Sequence, residues 1–200
     1  MIKSFISMFL MISATIAYAR PVVVVLGDSL AAGYGVDKEE SFPSLLEKKF
    51  KSDKVDMKVI NAGLSGSTSA SGPSRMNWQL KAKPTHLLLA LGANDALRGI
   101  NPADTTESLR KTIKIALDNH ITVFILGMKA PPNYGKEFTL KFESIYINLS
   151  KEFKLDRFPF LLEGVAGDAA LNQGDGIHPN AKGHQIIADH LYTFLKGKIH

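Results

Sequence analysis

Apolar residues in this chain follow two alternating patterns, short continuous runs and longer stretches with helical spacing. The first run, residues 21–27 (PVVVVLG), is continuous and β-branched, which is typical of a strand buried on both faces of a parallel sheet. Four later runs, at residues 55–60, 85–91, 121–128 and 157–161, also predict strands.

Amphipathic stretches separate these runs. Residues 41–50 repeat phenylalanine and leucine at helical spacing, and residues 104–120 open with Asp104 as the expected helix cap. Two further helical patterns cover residues 134–153 and 180–195. Alternation of strands and helices predicts an α/β fold, a three-layer α/β/α sandwich around a five-stranded, mostly parallel sheet.

The N-terminus has the organisation of an export signal. Lys3 gives a positive start, residues 5–16 are mostly apolar, and residues 17–19 (AYA) form a small-residue cleavage pattern. An uncleaved membrane anchor is the alternative, but a spanning helix needs about 20 apolar residues and this run is shorter. We therefore expect a signal peptide over residues 1–19, no stable membrane anchor, a periplasmic or secreted protein, and one folded domain over residues 20–200.

Composition narrows the function classes. The net charge of +5 is a mild excess for 200 residues, and no basic patch is interleaved with aromatic residues, so we expect no nucleic-acid partner. The chain has no cysteine, which excludes a thiolate nucleophile. The histidines show no metal-ligand spacing, and we expect no metal site.

The first candidate chemical residue is Ser29, in the segment Gly27-Asp28-Ser29-Leu30 directly after the first predicted strand. A serine hydroxyl needs a base and a tight turn to act as a nucleophile, and a step from strand to helix supplies the turn. The alternative interpretation is an ordinary helix cap.

A base with its partner follows near the C-terminus. Asp175 precedes His178 by three residues across a glycine-containing turn. This spacing lets the carboxylate hold the imidazole Nδ1–H while Nε2 accepts a proton. The alternative is a solvated loop histidine.

Acyl transfer also needs hydrogen-bond donors for a developing oxyanion. We expect the backbone N–H of Ser29, a backbone N–H in the loop at residues 61–66 around Gly63, and the side-chain amide of Asn94. Each follows a predicted strand, and the carboxyl ends of parallel strands share one edge of the sheet.

Four segments carry a resemblance to a known family: residues 27–34 (GDSLAAGY), 94–99 (NDALRG), 132–135 (PNYG) and 175–180 (DGIHPN). The sequence resembles the SGNH (GDSL) hydrolase superfamily, and within it the exported bacterial thioesterase I, lysophospholipase L1 and arylesterase group. The resemblance places the four residues that name the superfamily, and its catalytic acid, on these positions: Ser29, Gly63, Asn94, His178 and Asp175.

This resemblance implies a flavodoxin-like fold, no cofactor and an acyl-enzyme formed on Ser29. Its substrates would be small acyl thioesters, aryl esters or lysophospholipids. The loop at residues 129–135 would border the acyl pocket, with Pro132, Asn133 and Tyr134 as substrate contacts. We also expect a monomer.

Three alternatives stay open at this point. An α/β-hydrolase fits less well, because its elbow has the form G-x-S-x-G and this chain has Ala31 at the last position. A carbohydrate deacetylase of the same superfamily would have a more open, polar cleft. A non-catalytic lipid or glycan binder on this scaffold would have lost part of the catalytic set, and here the set is complete.

Overall fold

A parallel β-sheet with helices on both faces forms the described part of the chain. The computed structural model describes residues 20–199, so the predicted signal peptide lies outside the described residues. In chain order the strands and helices are β1 (Val22–Gly27), α1 (Ser29–Ala32), α2 (Phe42–Ser52), β2 (Lys58–Gly63), α3 (Gly72–Gln79), β3 (His86–Ala90), α4 (Ala93–Leu97), α5 (Pro102–Asp118), β4 (Thr122–Leu126), α6 (Lys136–Glu152), β5 (Asp156–Phe158) and α7 (Ala181–Leu195).

The five strands pair in the order β2-β1-β3-β4-β5, and every pair is parallel. Val24 of β1 lies opposite Ile60 on one side and Leu87 on the other. Since β1 is interior and covered on both faces, Val23, Val24 and Val25 are fully buried, which explains the continuous β-branched run. The predicted flavodoxin-like parallel sheet is confirmed.

The helices form the two outer layers. On one face α2 and α7 pack against each other, with the rings of Phe50 and Tyr192 meeting edge to face at 5.1 Å. On the other face α5 lies between α3 and α6. The predicted three-layer sandwich is therefore confirmed. Within residues 20–199, no helix is both long and apolar enough to cross a membrane.

The ends of several elements differ from the sequence prediction. The strand predicted at residues 55–60 begins at Lys58, because a turn with Lys54 at a φ of 64° precedes it and Lys58 is the first residue opposite β1. The predicted cap Asp104 is wrong as well. Asn101 caps α5 by accepting from the Ala103 N–H at 3.0 Å, and Pro102, which has no N–H to satisfy, occupies the first turn.

Helix α3 is absent from the sequence prediction, since its segment contains glycine, proline and serine and few apolar residues. Pro73 lies in the first turn, where a missing N–H is tolerated. Met76 is the fully buried residue that attaches this short helix to the core.

Candidate active site

The turn after β1 presents Ser29. Asp28 caps α1, its Oδ1 accepting from the Leu30 N–H at 3.0 Å, and α1 ends after one turn at Gly33. Ser29 is the first residue of this helix, so its own N–H has no acceptor within the helix. The side chain and the N–H of Ser29 therefore both lie at the carboxyl edge of the sheet.

The loop before α7 brings two residues to Ser29. His178 Nε2 lies 2.9 Å from Ser29 Oγ, and His178 Nδ1 lies 2.6 Å from Asp175 Oδ2. The other oxygen of Asp175 accepts the backbone N–H groups of Ile177 and His178, each at 3.0 Å. The predicted trio is thus assembled across 149 residues of sequence.

Hydrogen bonds to His178 keep Asp175 ionised. The side-chain bond from His178 is the largest cause, followed by the two backbone N–H bonds, and together they lower the pKa of Asp175 from 3.8 to about 2. A carboxylate facing Nδ1 requires the proton on Nδ1, which leaves the lone pair of Nε2 directed at Ser29.

Neighbouring contacts fix the orientation of the His178 loop. The ring of Tyr34 lies 4.7 Å from that of His178, measured between centroids. Gln173 donates its side-chain amide to the Tyr34 carbonyl at 2.6 Å and to the Pro179 carbonyl at 2.9 Å. These bonds connect the loop to the turn that follows α1.

The amide of Asn94 lies next to a tight turn formed by residues 64–67. Asn94 Nδ2 donates to the Ser67 carbonyl at 3.0 Å, and the Ser67 N–H closes the turn on the Leu64 carbonyl at 3.1 Å. Gly66 occupies the third position of this turn with a φ of 78°, a conformation that favours glycine. The N–H at that position has no acceptor inside the turn, so it can bind a ligand beside Asn94.

Gly63, the glycine expected to supply the oxyanion donor, has a different environment. Its N–H donates to Asn61 Oδ1 at 2.9 Å, while Asn61 Nδ2 donates to the Ala31 carbonyl at 2.7 Å. A side chain at position 63 would overlap the backbone of Ala31 and Ala32. Glycine is therefore needed here for close packing of β2 against α1, and its N–H is already occupied.

Arg75, on the unpredicted helix α3, connects the ends of two strands. Its guanidinium donates to the Gly27 carbonyl at 2.8 Å and also to the Ala62 carbonyl. Burial lowers the pKa of Arg75, while the nearby charge of Asp28 raises it. The arginine thus joins the turn that carries Ser29 to the end of β2.

Two buried acids lie close to the same edge. Burial raises the pKa of Asp28 from 3.8 to about 6, with Asp95 adding a smaller upward contribution. Within residues 20–199, Oδ2 of Asp28 has no hydrogen-bond partner. Asp95 is fully satisfied: it accepts from the Ser69 N–H at 2.8 Å, the Ser69 hydroxyl at 2.5 Å and the Thr105 hydroxyl at 3.1 Å. Asp95 therefore ties α4, next to Asn94, to α5.

A cleft of about 460 Å³ opens beside Ser29 and His178. Its wall is mainly apolar, and the larger apolar side chains that line it are Leu30, Leu97, Met128, Phe160, Leu162 and Ile177. Such a wall can hold a hydrocarbon chain next to the serine.

Among residues 20–199, no cluster of three or more His, Cys, Asp or Glu side chains can hold a metal ion.

The three expected substrate contacts lie in different positions relative to the cleft. Pro132 lines the cleft, as predicted for its loop, whereas Asn133 is exposed and outside the lining. Tyr134 lies at the rim, where its hydroxyl donates to the Leu97 carbonyl at 2.5 Å. Its contribution to the cleft is thus made through the position of Leu97.

The sequence matches the family described as the GDSL-like lipase/acylhydrolase family over residues 25–186. The chain belongs to this family. The match includes the end of β1 with Ser29, the Asn94 segment and the loop of Asp175 and His178, so the assembled side chains lie within the matched region.

Curated relatives support the same assignment. The chain is similar to the esterase TesA of Pseudomonas aeruginosa, with 35% identity over 89% of each chain. It is also similar to the protein named thioesterase 1/protease 1/lysophospholipase L1 of Escherichia coli (strain K12), with 36% identity over 94% of this chain and 90% of the relative.

A solved structure agrees in fold. The psychrotrophic esterase EstA from Pseudoalteromonas sp., in a structure inhibited by monoethylphosphonate, matches with a TM-score of 0.84 and 32% identity. The match covers 88% of this chain and 96% of EstA.

Sequence reasoning missed Arg75. It named the loop at residues 61–66, which includes Gly66, but expected the donor at Gly63. Arg75 lies on a helix with weak amphipathic pattern, so no sequence signal separated it from a surface arginine. Gly66 carries a usable signal, since Ser65-Gly66 is a turn dipeptide in the same loop as Gly63, the expected donor.

Proposed function

We propose that this protein is a serine esterase or thioesterase that hydrolyses small acyl esters through an acyl-enzyme on Ser29. The observation that carries the proposal is the continuous contact from Ser29 Oγ to His178 Nε2 at 2.9 Å and from His178 Nδ1 to Asp175 at 2.6 Å, at the mouth of an apolar cleft. Each partner has the ionisation or tautomer that its role requires.

In the first step, His178 Nε2 accepts the Ser29 hydroxyl proton as Oγ attacks the carbonyl carbon of the ester. Asp175 then stabilises the imidazolium through its bond to Nδ1. Collapse of the tetrahedral intermediate expels the alkoxide or thiolate, to which His178 returns the proton. A water molecule, deprotonated by the same nitrogen, attacks the acyl-enzyme and releases the carboxylic acid.

Three donors would stabilise the oxyanion of the intermediate. We assign them to the N–H of Ser29, the side-chain amide of Asn94 and the N–H of Gly66. The Gly66 assignment replaces the expected Gly63, because the Gly63 N–H is bonded to Asn61 and the Gly66 turn contacts Asn94 directly. Loss of one such donor typically costs about 10²–10³ in kcat.

The substrate class follows from the cleft and the relatives. An apolar wall fits the acyl part of an ester, and the relatives are named as esterases and as a thioesterase and lysophospholipase. A carbohydrate deacetylase is less well supported, since it would need polar groups along this wall. A purely binding role would leave the complete Ser29, His178 and Asp175 arrangement without a purpose.

The cellular setting remains a proposal made from sequence. The signal peptide at residues 1–19 would direct the protein to the periplasm or the medium, and the remaining domain would act as a monomer on dissolved substrate. Mass spectrometry of the protein secreted from its host cell would test the cleavage, with Arg20 as the expected first residue.

Labelling with a fluorophosphonate tests the catalytic proposal without assuming a substrate. Residues 20–200 are treated with the reagent, and the adduct is located by peptide mass spectrometry. We expect an adduct on Ser29 that is lost in His178→Ala and retained in His190→Ala, a matched control on an exposed histidine of α7. A folded protein that stays unlabelled, or is labelled equally in His178→Ala, would refute the mechanism.

A further inference from the structure

Lys129 is exceptional among the residues that line the cleft. Among the lining residues in the described part of the chain it is the one Lys, Arg, Asp or Glu, and the remainder of the wall is mainly apolar. A carboxylate partner would neutralise it, but within residues 20–199 Lys129 forms no ion pair. A cationic group in an otherwise uncharged cleft selects for an anion on the ligand.

The backbone around Lys129 is rigidly placed. Gly127, two residues earlier, donates its N–H to the Phe158 carbonyl and accepts from the Leu161 N–H, each at 2.9 Å. These two bonds hold the segment after β4 against the segment after β5. Pro131 follows shortly after Lys129 and limits movement on the other side.

The side chain has a defined position as well. Its Nζ lies 4.7 Å from the centroid of the Phe160 ring, within the range of a cation–π contact. Phe160 also lines the cleft. The ring holds the ammonium at the wall without cancelling its charge, so the cation stays available to a bound molecule.

The geometry points to an anion subsite at Lys129: the enzyme prefers esters that carry a phosphate, sulfonate or carboxylate group over neutral esters with the same acyl chain. This inference rests on the proposed function, since it names the substrate class of the same cleft. The anion can be carried on the leaving group or at the far end of the acyl chain. Both arrangements use one chemistry, and the experiment separates them.

Three esters test the subsite. The first is the neutral p-nitrophenyl butyrate, the second is a butyrate ester of a nitrophenol with an added carboxylate, and the third is a p-nitrophenyl ester whose acyl chain ends in a carboxylate. Variants are Lys129→Gln and Lys129→Glu, with Lys136→Gln as the control. Lys136 is also an exposed lysine, at the start of α6, and does not line the cleft.

We expect one of the two anionic esters to be preferred over its neutral counterpart in kcat/KM by about three- to fivefold, the range of a partly exposed ion pair. Lys129→Gln should remove the preference and Lys129→Glu should reverse it, while Lys136→Gln keeps it. Added salt should reduce the preference in the wild type. Each preference is taken as the ratio of the two kcat/KM values within one protein, and only Lys136→Gln is expected to hydrolyse the neutral ester at the wild-type rate. Whichever ester shows the preference identifies the side of the scissile bond that contacts Lys129.

The two proposals fail separately. A protein that hydrolyses the neutral ester and is labelled at Ser29, but shows the same ratios in wild type and Lys129→Gln, overturns the anion subsite alone. A protein with no hydrolysis and no labelling refutes the proposed function, and the subsite is then judged by binding. In Ser29→Ala, hexanoate should bind more tightly than hexanol, and Lys129→Gln should abolish that difference. Equal binding of the two compounds in both backgrounds overturns the subsite.

Discussion

The two sides of the cleft are built differently. On the catalytic side, Ser29, His178 and Asp175 are each held by hydrogen bonds, and Arg75 fixes the strand ends behind them. On the other side, which we call the cleft wall, the segments at residues 128–132 and 160–167 present mainly apolar side chains. One side of the cleft is thus built from directional hydrogen bonds, and the other from apolar surface with Lys129 as its charged side chain.

The largest effect should come from the catalytic side. Asp175→Asn replaces an acceptor at His178 Nδ1 by a group that can donate, which favours the wrong tautomer. We expect kcat to fall by about 10³–10⁴ with little change in KM. Steady-state kinetics on a neutral ester would measure it, and Asp168→Asn, an exposed acid in the neighbouring loop, is the control. A loss below tenfold would contradict the role given to Asp175.

Two buried groups near this side should give opposite pH dependences of stability. Burial lowers the pKa of His184 from 6.5 to about 4, and the charge of His178 adds to this. As pH falls from 6.5 towards 4, His184 binds a proton in the unfolded chain before it does so in the folded protein. His184 therefore lowers the free energy of unfolding in acid. Asp28, with its pKa raised to about 6, has the reverse effect. As pH rises from 4 to 6, the unfolded chain loses the Asp28 proton before the folded protein does, so stability falls as pH rises.

Each contribution amounts to about 3 kcal/mol at its limit, so the two offset one another in the wild type. Asp28→Asn removes the contribution that offsets His184. On acidification from pH 6.5 to 4, the free energy of unfolding of this variant should therefore fall by up to about 3 kcal/mol more than that of the wild type. Urea unfolding at several pH values would measure this, and His184→Gln should shift the curve in the other direction. His190→Gln, on an exposed histidine, should run parallel to wild type. Parallel curves for all variants would show that neither buried group carries a shifted pKa.

Substitution of Arg75 tests whether the catalytic side depends on the hydrogen bonds that join the ends of β1 and β2. Arg75→Met removes the donor shared by the Gly27 and Ala62 carbonyls, and we expect the free energy of unfolding to fall by about 2 kcal/mol. Fluorophosphonate labelling should slow as well, because the Ser29 turn loses its connection to β2. Arg75→Lys keeps the charge and should recover part of both.

Arg110 provides the matched control for this experiment. It bonds Glu107 and Glu152 on the surface, so Arg110→Met should cost no more than about 1 kcal/mol and leave labelling unchanged. An Arg75→Met variant that behaves like Arg110→Met would show that the anchor has no special role.

The smallest effect should come from the rim of the cleft wall. Tyr134→Phe removes the hydroxyl that bonds the Leu97 carbonyl, and we expect a stability loss of about 1 kcal/mol. The ratio of kcat/KM for long and short acyl esters should shift, since Leu97 lines the cleft, while kcat for a short ester stays unchanged. An equal loss for every chain length would place Tyr134 on the catalytic side of the comparison.

The sequence predicts the residues of the catalytic side better than those of the cleft wall. Ser29, Asp175 and His178 lie in short motifs whose geometry is local, a strand-to-helix turn and a turn of four residues, so spacing alone constrains them. The mostly parallel sheet between two layers of helices followed from the alternation of buried strands and helices. These features depend on neighbours in sequence.

The remaining features depend on the direction of individual side chains and on which segments meet in the fold. Whether Gly63 or Gly66 has a free N–H depends on where the Asn61 side chain points. The role of Arg75 depends on a helix without a clear hydrophobic face. Lys129 stands out only against the other residues that line the cleft. These residues come from five separate segments of the chain, so the sequence alone does not bring them together.

The acid and the base of the proposed mechanism are three residues apart on one loop, and this has a consequence for heat inactivation. A small set of contacts holds that loop, among them the bridge between Asn172 and Pro179 and the bonds of Gln173 to the Pro179 and Tyr34 carbonyls. If these contacts open, Asp175 and His178 leave the serine together while the sheet stays folded. Activity should then disappear on warming before the domain melts, and return on cooling without any refolding of the core.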